Sequence, residues 1–128
     1  MANNENKNAE LALKAHKQRS NDAKSAETSE IKNMMGLTKT IKIAEGTPHE
    51  YSLTLRFPGV ARASEIEDIA SNRFDNIVYT ELMREAIKDV IISPKISSLD
   101  FWNNHAGYSE VSFKILNFLN QGLNGELN

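Results

Sequence analysis

The run Tyr51-Ser52-Leu53-Thr54-Leu55-Arg56-Phe57 alternates apolar and polar side chains over its whole length and then stops at Pro58-Gly59. Period-two alternation marks a strand with one buried face, because successive side chains of a pleated backbone point to opposite sides. Pro58 cannot donate to a ladder and Gly59 permits a sharp change of direction, so the strand ends there. A shorter alternation, Thr40-Ile41-Lys42-Ile43, lies upstream, with the turn-type cluster Glu45-Gly46-Thr47-Pro48-His49 between the two. The pair reads as an antiparallel β-hairpin. Its buried face carries Ile41 and Ile43 from one strand and Tyr51, Leu53, Leu55 and Phe57 from the other. A lone hairpin is marginal in water, so this one must pack on helices or add strands from another chain.

Beyond Gly59 the apolar spacing becomes helical. Ala63, Ile66, Ile69 and Ala70 place a helix over Ala61–Asn72, where Ser64 and Glu67 have the spacing of a capping box. Val78, Leu82, Met83, Ala86, Ile87, Val90 and Ile91 form one broad stripe, which predicts a longer helix over Asn76–Ile92, stopped by Ser93-Pro94. Residues 96–106 read as irregular or short-helical, anchored by Phe101 and Trp102. A last helix, capped by Ser109 and ended by Gly122 and Gly125, carries Val111, Ile115, Leu116, Phe118 and Leu119. The expected fold is α+β, a hairpin packed on three to four α-helices.

The first 36 residues have a different composition. They contain no aromatic residue and few apolar side chains larger than alanine, and six Lys/Arg stand against five Asp/Glu. Such a stretch buries too little apolar surface to offset the entropy of ordering it. Residues 1–36 are therefore expected to be a disordered or partly helical arm, 37–122 the compact domain and 123–128 a frayed tail.

Charge and composition narrow the function. The formal net charge is -2, whereas phosphate neutralisation by a basic face supplies most nucleic-acid affinity. The chain has no cysteine, which removes disulfides, thiolate metal sites and cysteine nucleophiles. His16, His49 and His105 are too far apart in sequence to form a helical metal pair. No nucleophile-elbow pattern surrounds a serine and no glycine-rich phosphate cradle is present. No apolar run is long enough for a membrane span, and the amino terminus lacks a secretory h-region. These readings lead to a cytoplasmic, non-enzymatic protein-binding module with no cofactor, no metal, no nucleic acid and no membrane contact.

Two segments carry a more specific likeness. Tyr51-Ser52-Leu53-Thr54-Leu55-Arg56-Phe57-Pro58-Gly59-Val60 followed by Ala61 to Asp68, and Tyr79 to Ile92 followed by Ser93-Pro94-Lys95, together resemble tail assembly chaperones of long-tailed phages of Gram-positive hosts. The likeness spans about residues 38–120. It is a pattern of a polar leader, a two-strand unit, "FPGV", helices and "V-I-x-S-P-K". The resemblance implies a chaperone that binds the tape measure protein in the host bacterial cytoplasm and keeps its apolar stripes from aggregating. Tube subunits then displace it, so the tail tube protein is a further partner, and self-association is implied as well. The alternative is a structural subunit, a connector or tail completion protein, that stays in the virion. Expected contacts are the Asn76–Ile92 helix, the last helix and the hairpin edge. The expected partner-binding residues are Phe57, Val60, Met83, Ile87, Phe101, Trp102 and Phe118.

Overall fold

The computed structural model describes residues 30–127. The arm expected over 1–36 lies mostly outside them. The architecture is α+β, as the alternating and helical spacings imply. Strands β1 (Thr38–Ile43) and β2 (Tyr51–Arg56) pair antiparallel, with Thr38 opposite Arg56 and Ile43 opposite Tyr51. Helices α1 (Val60–Ile69) and α2 (Tyr79–Asp89) follow, and then a third strand, β3 (Ile91–Ser93). A 3-10 turn over Leu99–Asn103 leads to the last helix, α3 (Tyr108–Leu123). The sheet order is β1-β2-β3. Ile41, Ile43, Leu53, Leu55, Phe57 and Ile91 from its inner face share one core with Ile66, Leu82, Met83, Val111, Ile115 and Phe118 from the helices.

The structure corrects several expectations. The apolar stripe expected to run helically to Ile92 instead splits: α2 ends at Asp89, and Ile91 pairs with Leu55 as the first residue of β3. Val90-Ile91-Ile92 is β-branched throughout, a composition that suits a pleated surface better than a last helical turn. Helix α1 starts at Val60 rather than near Ser64, because Pro58-Gly59 turns the chain directly into it and the Ala63 N–H donates to the Gly59 carbonyl at 2.9 Å. Ser64 therefore caps nothing and is exposed.

Both ends of the domain also differ from expectation. The compact unit begins at Asn33, and Met34 is buried in the core. Helix α3 continues through Gly122, which sits inside its last turn because a Cβ there would overlap the Phe57 ring. The helix closes with paired bonds from Gly125 N–H to the Gly122 carbonyl (3.1 Å) and from Glu126 N–H to the Gln121 carbonyl (2.7 Å), with Gly125 at φ 73°. This is a Schellman closure. It folds the segment expected to fray back on the domain, and Leu127 joins the core at 8% exposure.

Candidate partner-binding surface

The seven residues expected to meet a partner divide by burial. Phe57, Met83, Ile87 and Phe118 are core side chains, so none offers more than an edge to a partner in this conformation. Their apolar stripes are consumed internally, α2 against α1 and α3, and Phe57 edge-on to Phe118 at 6.3 Å between ring centroids. Val60 is exposed at 57%, and the exposed Met35 side chain lies against the neighbouring Gly59, which makes a small apolar patch at the start of α1.

Phe101 and Trp102 are half-buried and mainly hold the chain together. The Trp102 indole N–H donates to the Tyr51 hydroxyl (3.0 Å), which in turn donates to the Ala106 carbonyl (2.5 Å). Phe101 stacks on His105 at 3.8 Å, and the His105 Nδ1 lies 2.9 Å from the Phe101 carbonyl. Burial pushes the Tyr51 hydroxyl pKa up, while its bond with Trp102 opposes that shift. The cluster staples the 3-10 turn to the start of β2. Trp102→Ala is expected to cost about 2–3 kcal/mol of stability, read by denaturant melts.

The surface with unmet bonding capacity lies elsewhere, along β1. The Phe57 N–H donates to the Leu37 carbonyl at 2.8 Å, which fixes the phase of the ladder. Lys39, Ile41 and Ile43, in phase with the Leu37 carbonyl, turn their backbone groups toward β2, and Thr38, Thr40 and Lys42 turn theirs away. On the far side of β2 the same phase directs the Arg56 N–H to the Val90 carbonyl (2.8 Å). No described residue bonds to the outward backbone groups of Thr38 and Thr40. The Lys42 carbonyl accepts from the Lys114 ammonium at 3.0 Å, and Lys114 also pairs with Glu110 at 2.9 Å.

A groove runs along this edge, between β1 and α3. One part, about 460 Å³, is lined by Lys39, Ile41, Lys42, Glu45, Lys114 and Phe118. The next, about 280 Å³, is lined by Leu37, Thr38, Lys39, Phe118, Gln121, Glu126 and Leu127. Lys39 and Phe118 border both, so the two parts form one trough with Phe118 in its floor. Sequence reasoning flagged the hairpin edge but not the trough, whose second wall comes from α3 and the folded-back tail.

The charged side chains between α1 and α2 are internally matched. Arg62 on α1 reaches Asp89 (2.8 Å), Glu85 (3.1 Å) and Glu65 (3.2 Å), tying α1 to α2. The Asp89 bond leads in holding the guanidinium charged. Lys88 and then Arg62 hold the Glu85 carboxyl below its ordinary range, against its burial. Glu67 is the exception: burial, and the neighbouring Asp68, push its carboxyl up, and its Oε2 has no hydrogen-bond partner among the described residues.

Among the described residues no three His, Cys, Asp or Glu side chains gather as a metal site, and no helix is long and apolar enough to cross a membrane. Compared with protein-family models, curated proteins and solved structures, the chain matches none.

Proposed function

We propose that this chain is a non-enzymatic protein-binding module, and specifically a tail assembly chaperone that holds a phage tape measure protein soluble in the host bacterial cytoplasm. The observation that carries the binding half of this reading is the β1 edge, unpaired among the described residues, beside an open trough. Unpaired strand edges are sites where another chain adds, and folds without a binding role usually blunt or cover them. The chaperone half rests on the resemblance of residues 51–68 and 79–95 to tape measure chaperones. Exposed Met35, Val60 and Phe113, at 61%, 57% and 57%, supply further apolar contact for a long partner with repeating stripes.

The test is co-expression of the tagged chain with the long protein encoded directly downstream. Co-purification of that protein, with its solubility rescued, supports the reading. If the prey stays insoluble and the tagged chain comes down alone, the chaperone reading falls. Mass spectrometry of purified virions then decides for a retained connector or completion subunit if the chain is found there.

A further inference from the structure

We propose that the trough along β1 takes an extended segment of a partner protein by strand addition, and that the segment presents acidic side chains on either side of an apolar one along the same face. The proposal rests on the protein-binding reading above but not on the identity of the tape measure protein.

The backbone supplies the first half. Thr38, Thr40 and Lys42 present their N–H and C=O groups outward along an unbulged strand that holds no proline. An incoming strand would extend the sheet through those groups, as main-chain bonds carry affinity in strand addition. Its alternate side chains would point into the trough, next to Lys39 and Ile41, which share the inner face of β1.

The side chains supply the specificity. Ile41 and Phe118 form an apolar seat in the larger part of the trough. Lys39 stands two residues before Ile41, borders both parts, and forms no ion pair among the described residues. Lys114 stands on the opposite wall with its ammonium on the Lys42 carbonyl. An incoming N–H would displace it from that carbonyl, and the ammonium, still paired with Glu110, would have that bonding direction open to a carboxylate of the guest. The guest pattern that answers Lys39, Ile41 and Lys114 is acid, apolar, acid at alternate positions, and Glu45 and Glu126, one in each part of the trough, disfavour further acids beyond those two.

Two other occupants fit less well. A second copy of β1 would offer a strand with the same two lysines and no acid, so it would supply no carboxylate to Lys39. Within residues 1–29 the one alternating apolar pair, Leu11 and Leu13, is flanked on its own face by Ala9 and Ala15 rather than by acids.

The experiment titrates the full chain into a fluorescein-labelled peptide, Thr-Asp-Thr-Val-Thr-Asp-Thr, and follows polarisation. A second peptide carries Lys in place of each Asp. The proposal expects saturable binding of the acidic peptide and at least about tenfold weaker binding of the basic one. Thr40→Pro removes an outward N–H that β2 does not use, and Lys39→Glu reverses the unpaired charge; each should weaken the acidic peptide about tenfold while the chain stays folded, with a melting temperature lowered by no more than about 8 °C. If Thr40→Pro unfolds the chain, Lys39→Glu alone decides. Equal binding of both peptides, no binding of either, or wild-type binding by the variants would overturn the proposal. So would exchange protection of the Thr38 and Thr40 amides in the chain alone, which would put the arm or a second copy in the trough. Capture of the downstream protein equally by wild type and Lys39→Glu would leave the chaperone reading standing and sink this one. Peptide binding without that capture would do the reverse.

Discussion

The two edges of the sheet meet solvent in different ways. β3 is three residues long and bulged, since Thr54 pairs with Ser93 but Leu55 pairs with Ile91, which leaves Ile92 as the extra residue. Pro94 follows at once and has no N–H to offer. Shortness, a bulge and a proline are three standard means of keeping an edge from pairing. β1 is six residues long, regular, and opens on a trough. Among the described residues the contact that covers it is Lys114 on the Lys42 carbonyl, a flexible side chain that another donor can replace. One edge is closed by its backbone and the other by a removable contact, which is the difference expected between a terminus of a sheet and a docking position.

The largest effect should come from removing the floor that both the core and the trough share. Phe118 is 2% exposed, packs edge-on to Phe57 and borders both parts of the trough. Phe118→Ala should cost about 3–5 kcal/mol in denaturant unfolding, the range for a buried aromatic truncated in a core. If the loss is under about 1 kcal/mol, the β1–α3 seam is already loose, and the comparison between a closed and a shaped edge fails.

Proline scanning addresses the edges more directly. Arg56→Pro removes the N–H that joins β2 to the Val90 carbonyl and should cost about 3 kcal/mol. Thr40→Pro removes an N–H that no described residue accepts and should cost under about 1 kcal/mol. Thermal melts of the two variants measure the asymmetry. Comparable losses would mean that the outward face of β1 is already paired.

Much of the sheet was legible in sequence because a half-buried strand writes itself in period two. Tyr51 to Phe57 shows that alternation and all of its inner residues are buried or half-buried. β3 was not legible, since a short apolar run continuing a helical stripe has no period of its own and only pairing with Leu55 makes it a strand. Gly122 misled for a related reason. In sequence a glycine near a helix end reads as a stop, whereas here its missing Cβ makes room for Phe57, sixty-five positions away in the chain. The trough was illegible as well, because its walls come from β1, α3 and the folded tail, and nothing local in any of them encodes the space between.

The smallest effect, and the one that separates the removable contact from a fixed one, concerns Glu110. Its carboxylate pairs with Lys114 and accepts from the Ala44 N–H at 3.1 Å, and Lys114 first, then Ala44, holds its pKa below the ordinary range. A depressed folded pKa means that the unfolded chain binds the proton more readily. The contribution of Glu110 is therefore present above its unfolded pKa and is lost as pH falls through the folded one. Glu67 has the opposite sign: its raised pKa favours the fold when protonated, and that advantage is lost as pH rises through the folded value. Glu110→Gln should lower stability at about pH 7 by only a few tenths of a kcal/mol, because the pair is part-exposed and screened, and the difference should vanish in acid. Glu67→Gln should raise stability at about pH 7 and likewise converge with wild type in acid. Without Glu110 to hold it, Lys114 should leave the Lys42 carbonyl more often, and the β1 edge should take the acidic peptide more tightly while β3 is unaffected. Tighter binding without a matching fall in melting temperature would identify Lys114 as a gate. Unchanged binding would mean that the lysine on the carbonyl is incidental and that the trough, not the gate, distinguishes the two edges.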